Sequence, residues 1–302
     1  MKPRSSAPVL GMLMAVQVLA WSFNYIFGKI ALAHLDPVTT ASFRLVLAGC
    51  LYLPIFLLGA RPGSVGWSDM PALALLGLCG VVINQGGFTI SLAYTSVSHV
   101  AVITAVGPVL VLLFAWLNGL EALAGAKLIG MALSFAGVAL LAAKSAAGGE
   151  RHSAGLAGDL LALASTTGFA LFTTYAKRLS HRYDTVTLNT FAHLTGAVLM
   201  LPLAARQAER LDWRGVAWPG WAGLVYMAIF GSVVGYLAFY RLLEHMTASQ
   251  VSSLNYLLPI AATALGVGLL HEKINRNFLA AGALVLVGVW LTERGRWRRR
   301  AA

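Results

Sequence analysis

A few polar side chains that could do chemistry lie inside long apolar stretches of this chain. The clearest is Arg44, which lies about six residues into the apolar segment 38–58. Its planar guanidinium could hold a carboxylate or phosphate through two parallel hydrogen bonds. Because a charged side chain at the centre of a membrane helix costs about 2.5–3.5 kcal/mol on insertion scales, such residues usually face a cavity or the bundle interior. We interpret Arg44 as a solute-binding or gate residue; snorkelling to the interface and pairing with a neighbouring carbonyl group are the alternatives.

Aromatic and amide side chains recur near Arg44 at helical spacing. Trp21 and Tyr25 are four residues apart and share one helix face, with Asn24 beside them. Gln85 and Phe88 form a similar stripe in a later segment. An aromatic wall with a few amide groups suits an amphipathic organic solute, whereas ordinary packing between helices is the alternative. The predicted solute-binding residues are Trp21, Asn24, Arg44, Gln85, Phe88, Tyr236, Tyr240, Asn255 and Tyr256.

Two prolines lie at matching places in the two halves of the chain. Pro108 and Pro259 each remove a backbone donor and free carbonyl groups, so each permits a kink in its helix. We predict them as gating or hinge residues, with a fixed bend as the alternative. Charged residues near the ends of apolar segments are predicted to be structural anchors: Lys29, Glu121, Asp159 and Glu272.

Other kinds of chemistry lack the residues that they need. No Asp or Glu lies near the middle of a predicted span, and no Gly-Lys-Ser/Thr phosphate-binding loop is present. The lone mid-span His193 is more typical of a hydrogen-bonded packing residue than of a proton relay. We find no metal-ligand cluster and no nucleophile–base pair, and so predict no catalytic residue, no metal and no cofactor. The solute is expected to be zwitterionic, neutral or anionic, with weak or no ion coupling.

Composition places the chain among membrane proteins. Hydrophobic residues make up 58% of its 302 residues and charged residues only 11%, against about 25% charged in a soluble domain. The net charge of +11 fits positive charge retained on cytoplasmic loops, and we predict no nucleic-acid partner because no soluble domain is available to bind one. Cys50 and Cys79 lie within apolar segments, which indicates packing rather than a disulfide.

Hydropathy predicts ten membrane-spanning helices, since about 20 apolar residues cross a bilayer. With the N-terminus inside, the inner segments carry thirteen Lys and Arg and the outer segments seven. This asymmetry favours both termini in the cytoplasm. The predicted spans are 9–32, 38–58, 71–94, 99–119, 125–143, 155–176, 186–204, 217–240, 249–270 and 277–293.

The chain contains an internal sequence repeat, two copies of one module. The coinciding pairs 148 positions apart are Lys29/Lys177, Asp36/Asp184, Val38/Val186, Thr39/Thr187 and Phe43/Phe191. Because each copy holds an odd number of spans, five, the second copy enters the membrane inverted. Inverted repeats are typical of secondary transporters, which alternate between two states around a site near the midplane. We predict a first repeat over 1–146 and a second, with a basic tail, over 147–302.

Several short motifs resemble the drug/metabolite transporter superfamily in its ten-helix EamA-type branch. The matching stretches are WSFNYIFGK (21–29), Arg44, GlyPro (107–108), GMALSFAGV (130–138), GDLLALAS (158–165), HEK (271–273) and AGALVLVGV (281–289). The likeness covers about residues 9–293. It implies a ten-helix fold and export of small metabolites or drugs. One departure is Phe169, where the family often has Trp.

These observations together predict a multi-pass carrier of a bacterial-type inner membrane. We expect it to export amino acids or similar small metabolites by alternating access around a midplane cavity, as a monomer whose partners are a small-molecule solute and the lipid bilayer. The alternatives are a multidrug or lipophilic-cation efflux carrier, a membrane-embedded enzyme such as a lipid-modifying transferase, and a scaffold or chaperone subunit that moves no solute.

Overall fold

The structure is a computed structural model that describes residues 7–59, 65–119, 125–146, 155–179, 182–245, 251, 254–255, 257–272, 274 and 276–297. Within these ranges the regular structure is helical throughout, with no strand. Ten helices follow the ten predicted spans. In chain order they are α1 (Ala7–Leu32), α2 (Pro37–Gly59), α3 (Trp67–Tyr94), α4 (Val97–Leu117), α5 (Gly125–Ala146), α6 (Leu156–Leu179), α7 (Thr185–Arg210), α8 (Trp218–His245), α9 (Leu257–Leu270) and α10 (Arg276–Trp297).

Length and hydropathy of the described residues mark seven helices as able to cross a membrane: α1, α2, α3, α4, α6, α7 and α8. The other three carry shorter apolar stretches, at Leu128–Leu140, Leu257–Leu270 and Arg276–Gly288. Of the predicted span 249–270, α9 covers Leu257–Leu270, and most of residues 249–256 lie outside the described residues. The prediction of an all-α membrane protein with two repeats is confirmed.

The helices pack in pairs that join the two repeats. The most extensive contacts join α5 to α10 and α2 to α7, which occupy the same place in their repeats. The first helix of each repeat contacts the third helix of the other, as α1 with α8 and α6 with α3, and α4 contacts α9. This exchange of partners is what a pseudo-two-fold axis between inverted repeats requires.

Irregular backbone occurs at equivalent places in the two repeats. The hydrogen bonding widens to π-helical over Gly77–Gly86 in α3 and over Met227–Val234 in α8. In α4, a turn at 105–106 separates two helical pieces, and Pro108 is the second residue of the later piece. In α9, Pro259 is the third residue of the helix, which follows a turn at Asn255. Such π-helical turns are frequent at functional sites.

The sequence pairs that reveal the duplication include helix caps. The Asp36 carboxylate accepts hydrogen bonds from the Val38 and Thr39 backbone nitrogens at the start of α2, at 3.0 and 2.9 Å. Asp184 caps α7 in the same way, accepting from the Thr187 nitrogen at 3.0 Å. An Asp at this position accepts a hydrogen bond from a backbone donor that the helix leaves unpaired, and its negative charge is stabilised by the positive end of the helix dipole. These repeated residues are therefore part of the scaffold.

Candidate functional site

A cavity of about 90 Å³ lies at the centre of the bundle, where helices of both repeats meet. Its lining combines aromatic rings with amide, hydroxyl and guanidinium groups. Its lining residues are Trp21, Asn24, Tyr25, Arg44, Asn84, Gln85, Phe88, Thr104, Thr166, Phe169, Gly231, Tyr236, Asn255 and Leu258. The two π-helical segments contribute Asn84 and Gln85 from one repeat and Gly231 from the other.

Arg44 provides the cavity with a buried positive charge. Its side chain lies on α2 and the residue is only 2% exposed. Its Nε donates to Ser232 Oγ at 3.1 Å and its Nη1 donates to Thr89 Oγ1 at 3.0 Å. Both partners are neutral, and the ion pairs among the described residues all lie elsewhere. Because a buried charge is costly unless an opposite charge compensates it, the cavity is electrostatically suited to an anion.

A chain of hydrogen bonds leads away from Arg44 into the protein. Ser232 Oγ donates to Gln85 Oε1 at 2.5 Å, and Gln85 Nε2 lies 2.9 Å from His193 Nε2. The other ring nitrogen, His193 Nδ1, lies 2.9 Å from the carbonyl oxygen of Asn189. The chain thus joins α2, α8, α3 and α7 through side chains that are all buried.

The aromatic wall is held in place by hydrogen bonds at its polar edges. Trp21 packs edge-on against Phe169 and Tyr236, with ring centroids 5.8 and 5.3 Å apart. The indole Nε1 of Trp21 donates to the Gly231 carbonyl oxygen at 3.1 Å. The Tyr236 hydroxyl donates to Asn84 Oδ1 at 2.6 Å. Each ring therefore presents an apolar face to the cavity while its polar atom is satisfied.

Asn24 places an unpartnered acceptor beside the guanidinium. Its Oδ1 is buried and accepts no hydrogen bond from any described residue. A Cβ built on Gly231 would lie 2.2 Å from Asn24 Oδ1 and 3.2 Å from Arg44 Nη2. The missing side chain of Gly231 thus leaves the acceptor and the cation side by side. An unpaired buried acceptor is costly.

Seven of the nine predicted solute-binding residues line this one cavity. They are Trp21, Asn24, Arg44, Gln85, Phe88, Tyr236 and Asn255. Tyr240 does not line it; its ring packs against Phe172 and Phe239, each at 5.5 Å. Tyr256 lies outside the described residues.

The predicted charged anchors that the structure describes, Lys29, Asp159 and Glu272, do not line the cavity and lie near the ends of helices. Lys29 Nζ donates to the Thr95 carbonyl oxygen at 2.8 Å, and Thr95 Oγ1 donates to Asp159 Oδ1 at 2.8 Å. His99 Nδ1 lies 3.2 Å from Asp159 Oδ2. These contacts tie together the ends of α1, α3, α4 and α6.

Glu272, after α9, caps the start of α4. It accepts from the backbone nitrogens of Val97 and Ser98 at 2.7 and 3.0 Å. These bonds join the chain after α9 to the first turn of α4. Glu121 lies outside the described residues. Across the described residues, no group of three His, Cys, Asp or Glu is placed to hold a metal ion.

Sequence reasoning missed part of the lining. Asn84 and Thr104 are polar residues in predicted spans, so the same argument that selected Asn24 would have found them. Tyr25 and Thr104 hydrogen-bond each other at 2.8 Å. Gly231 gave no signal, because its contribution is the absence of a side chain.

Comparison with known proteins agrees with this architecture. An uncharacterized transporter of Archaeoglobus fulgidus is 27% identical over 94% of this chain and 98% of its own length. The uncharacterized transporter YvbV of Bacillus subtilis is 29% identical over 96% of this chain and 93% of its own. The uncharacterized inner membrane transporter YedA of Escherichia coli strain K12 is 25% identical over 97% of this chain and 93% of its own.

A solved crystal structure with 18% sequence identity to this chain has a similar fold. It has a TM-score of 0.63 and covers 95% of this chain and 96% of the other; at this identity it shows the fold alone. The EamA-like transporter family matches residues 9–143 and 156–294, once for each repeat. With both halves of the bundle matched, this multi-pass membrane protein belongs to the EamA-like transporter family.

Proposed function

We propose that this transporter carries amino acids, or similar small solutes with a carboxylate group, by alternating access around the central cavity. The observation that carries the proposal is the guanidinium of Arg44, a residue that is 2% exposed and whose hydrogen bonds within the described part of the chain go only to the hydroxyl groups of Ser232 and Thr89. A carboxylate matches the guanidinium in charge and in geometry. A cationic solute would meet like charge in the same space.

The position of Asn24 extends this argument from anions to zwitterions. In an α-amino acid the carboxylate and the ammonium group are attached to one carbon atom, so their recognition sites must be adjacent. Asn24 Oδ1 and Arg44 Nη2 lie close to each other, since a Cβ on Gly231 would be 2.2 Å from the first atom and 3.2 Å from the second. The carboxylate would bind Arg44 and the ammonium would donate to Asn24. The solute's side chain would then face Trp21 and Tyr236.

Inverted repeats supply the two states that such a carrier needs. The same packing can form on either side of the pseudo-two-fold axis, so the inward-open and outward-open states are close in energy. In this structure Lys29, Thr95 and Asp159 join the helix ends on one side. We propose that these contacts open in the opposite state, with export as the direction of net transport.

A panel of related solutes tests the proposal on the detergent-purified protein. The panel holds an aliphatic α-amino acid, the amine that lacks its carboxylate, the acid that lacks its ammonium group, and a lipophilic cation. We expect the amino acid to raise the melting temperature by several degrees, because a ligand that binds only the folded state stabilises it. The acid should have a smaller effect and the amine none.

The opposite ranking would contradict the proposal. Stabilisation by the lipophilic cation and by none of the carboxylates would favour a multidrug carrier. The aromatic wall of Trp21, Phe169 and Tyr236 could bind such a cation through the ring faces.

A further inference from the structure

His193 is a buried polar residue that does not line the cavity. It lies on α7 and is fully buried. Its ring stacks at a tilt on Tyr52, with centroids 4.3 Å apart, and meets Tyr236 edge-on at 5.5 Å. A phenyl ring could make both of these ring contacts. The feature that only histidine supplies here is a pair of nitrogen atoms that face polar groups on two sides.

The directions of the hydrogen bonds around His193 follow from what each atom can do. The Asn189 carbonyl oxygen can only accept, so His193 Nδ1, at 2.9 Å, carries the hydrogen. In the neutral ring the other nitrogen, Nε2, then accepts, and its donor is the Gln85 side-chain nitrogen at 2.9 Å. His193 therefore fixes which way the Gln85 amide points, with its Oε1 turned toward Ser232.

The orientation of Gln85 determines what Ser232 can offer to Arg44. With Gln85 Oε1 in place at 2.5 Å, Ser232 Oγ gives its hydrogen to Gln85 and keeps its lone pairs for Arg44 Nε at 3.1 Å. If the amide turned over, Gln85 would point N–H groups at the same oxygen and compete with Arg44. The Ser232 hydrogen would then turn to the Met227 carbonyl oxygen, which already lies 3.2 Å away. The network thus has two arrangements, and His193 selects the one that holds Arg44.

We infer that His193 is a positioning residue which, acting through Gln85 and Ser232, sets the orientation of the Arg44 guanidinium and so the affinity for the solute's carboxylate. The choice of a carboxylate solute rests on the proposed function; the control of Arg44 by His193 does not. A histidine that only filled space would affect every solute equally, whereas this relay acts on the carboxylate alone.

Two substitutions at this position separate the relay from packing. His193→Phe keeps the ring contacts with Tyr52 and Tyr236 and removes the acceptor, whereas His193→Gln provides a carbonyl oxygen near the place of Nε2. We expect His193→Phe to weaken binding of a carboxylate solute about tenfold. A loss of this size is what a misaligned hydrogen bond between Arg44 and the carboxylate would cause. Binding of a neutral amide analogue of that solute should be unchanged, and His193→Gln should restore most of the carboxylate affinity. Equal losses for the two solutes, or no recovery with His193→Gln, would overturn the inference.

Ser232→Ala tests the route of the relay. Without the Ser232 hydroxyl, the Gln85 side-chain amide loses its route to Arg44, and the Gln85 backbone carbonyl that Thr89 contacts does not depend on how the amide points. Adding His193→Phe to Ser232→Ala should therefore weaken carboxylate binding no further. Independent effects that add would show that His193 acts by another path.

A readout that needs no solute separates this inference from the proposed function. In protein labelled with ¹⁵N-arginine, the Arg44 Nε–H signal is identified by its absence from Arg44→Lys. Its hydrogen exchange should be slow in the wild type and in His193→Gln, and clearly faster in His193→Phe, because its acceptor is then shared. Unchanged exchange in His193→Phe would overturn the relay whatever the solute is, and a changed exchange rate without carboxylate binding would overturn only the proposed solute.

Discussion

Replacing Arg44 with glutamine is expected to weaken the binding of carboxylate solutes by roughly two hundred- to a few thousandfold, which corresponds to the 3–5 kcal/mol that breaking a buried charge pair costs. The amide keeps hydrogen-bonding capacity toward Ser232 and Thr89 but cannot neutralise a carboxylate. Arg44→Lys should give an intermediate loss, because it keeps the charge and loses the planar fork. Binding is measured as solute-dependent stabilisation or by calorimetry on the purified protein.

The same substitution is not expected to lower the stability of the solute-free protein. Because the described neighbours of Arg44 carry no compensating negative charge, Arg44→Gln should leave the melting temperature of the solute-free protein unchanged or raise it. Arg206→Gln, at an exposed position of α7, is the matched control and should alter neither quantity. Normal carboxylate binding by Arg44→Gln would contradict the assignment of the anion site, and a large loss of stability would indicate that Arg44 is a structural residue.

Gly223→Ala is expected to destabilise the contact between α1 and α8, which belong to different repeats. A Cβ at Gly223 on α8 would lie 2.6 Å from the Phe27 carbonyl oxygen and 2.8 Å from the Ala31 nitrogen. These are backbone atoms of α1, so the two helices would have to move apart. Overpacking of this kind costs about 1–3 kcal/mol, which thermal unfolding in detergent would detect.

Gly268→Ala on α9 is the matched control for Gly223→Ala. A Cβ there would meet nothing within 4 Å, and alanine is favoured over glycine inside a helix by about 1 kcal/mol. Its melting temperature should therefore be equal to that of the wild type or higher. Equal behaviour of the two variants would show that α1 and α8 do not approach as closely as in the structure.

The helices and the duplication could be predicted from sequence because their signals are strong and local. Runs of about 20 apolar residues have few alternatives to a membrane helix, and the ten predicted spans all appear as helices. The turn at Asn255 that precedes Pro259 could not be predicted, since hydropathy does not register a turn inside an apolar run.

The cavity was predictable where burial of a polar group is costly. Arg44, Asn24 and Gln85 stand out in apolar segments for that reason. The role of Ser232 was not predictable, because it depends on a π-helical turn that brings its hydroxyl within 3.2 Å of the Met227 carbonyl oxygen, five residues earlier. A pattern read with 3.6 residues per turn cannot place that side chain.

Helical spacing also misplaced one aromatic residue. Tyr240 follows Tyr236 by four residues and so shares its face of α8. The cavity ends at the level of Tyr236, and Tyr240 packs beyond it against Phe172. Spacing along one helix reports the direction of a side chain, whereas the extent of a cavity depends on the neighbouring helices.

Solute counterflow in proteoliposomes tests the central claim most directly. Vesicles that hold the purified protein are loaded with an unlabelled amino acid and diluted into a trace of the same amino acid carrying a radioactive label. A carrier that alternates between two states around one site should accumulate the label transiently above its outside concentration, and Arg44→Gln should abolish this overshoot. Equilibration without an overshoot, or an overshoot that Arg44→Gln leaves intact, would contradict alternating access around a cavity that binds carboxylates through Arg44.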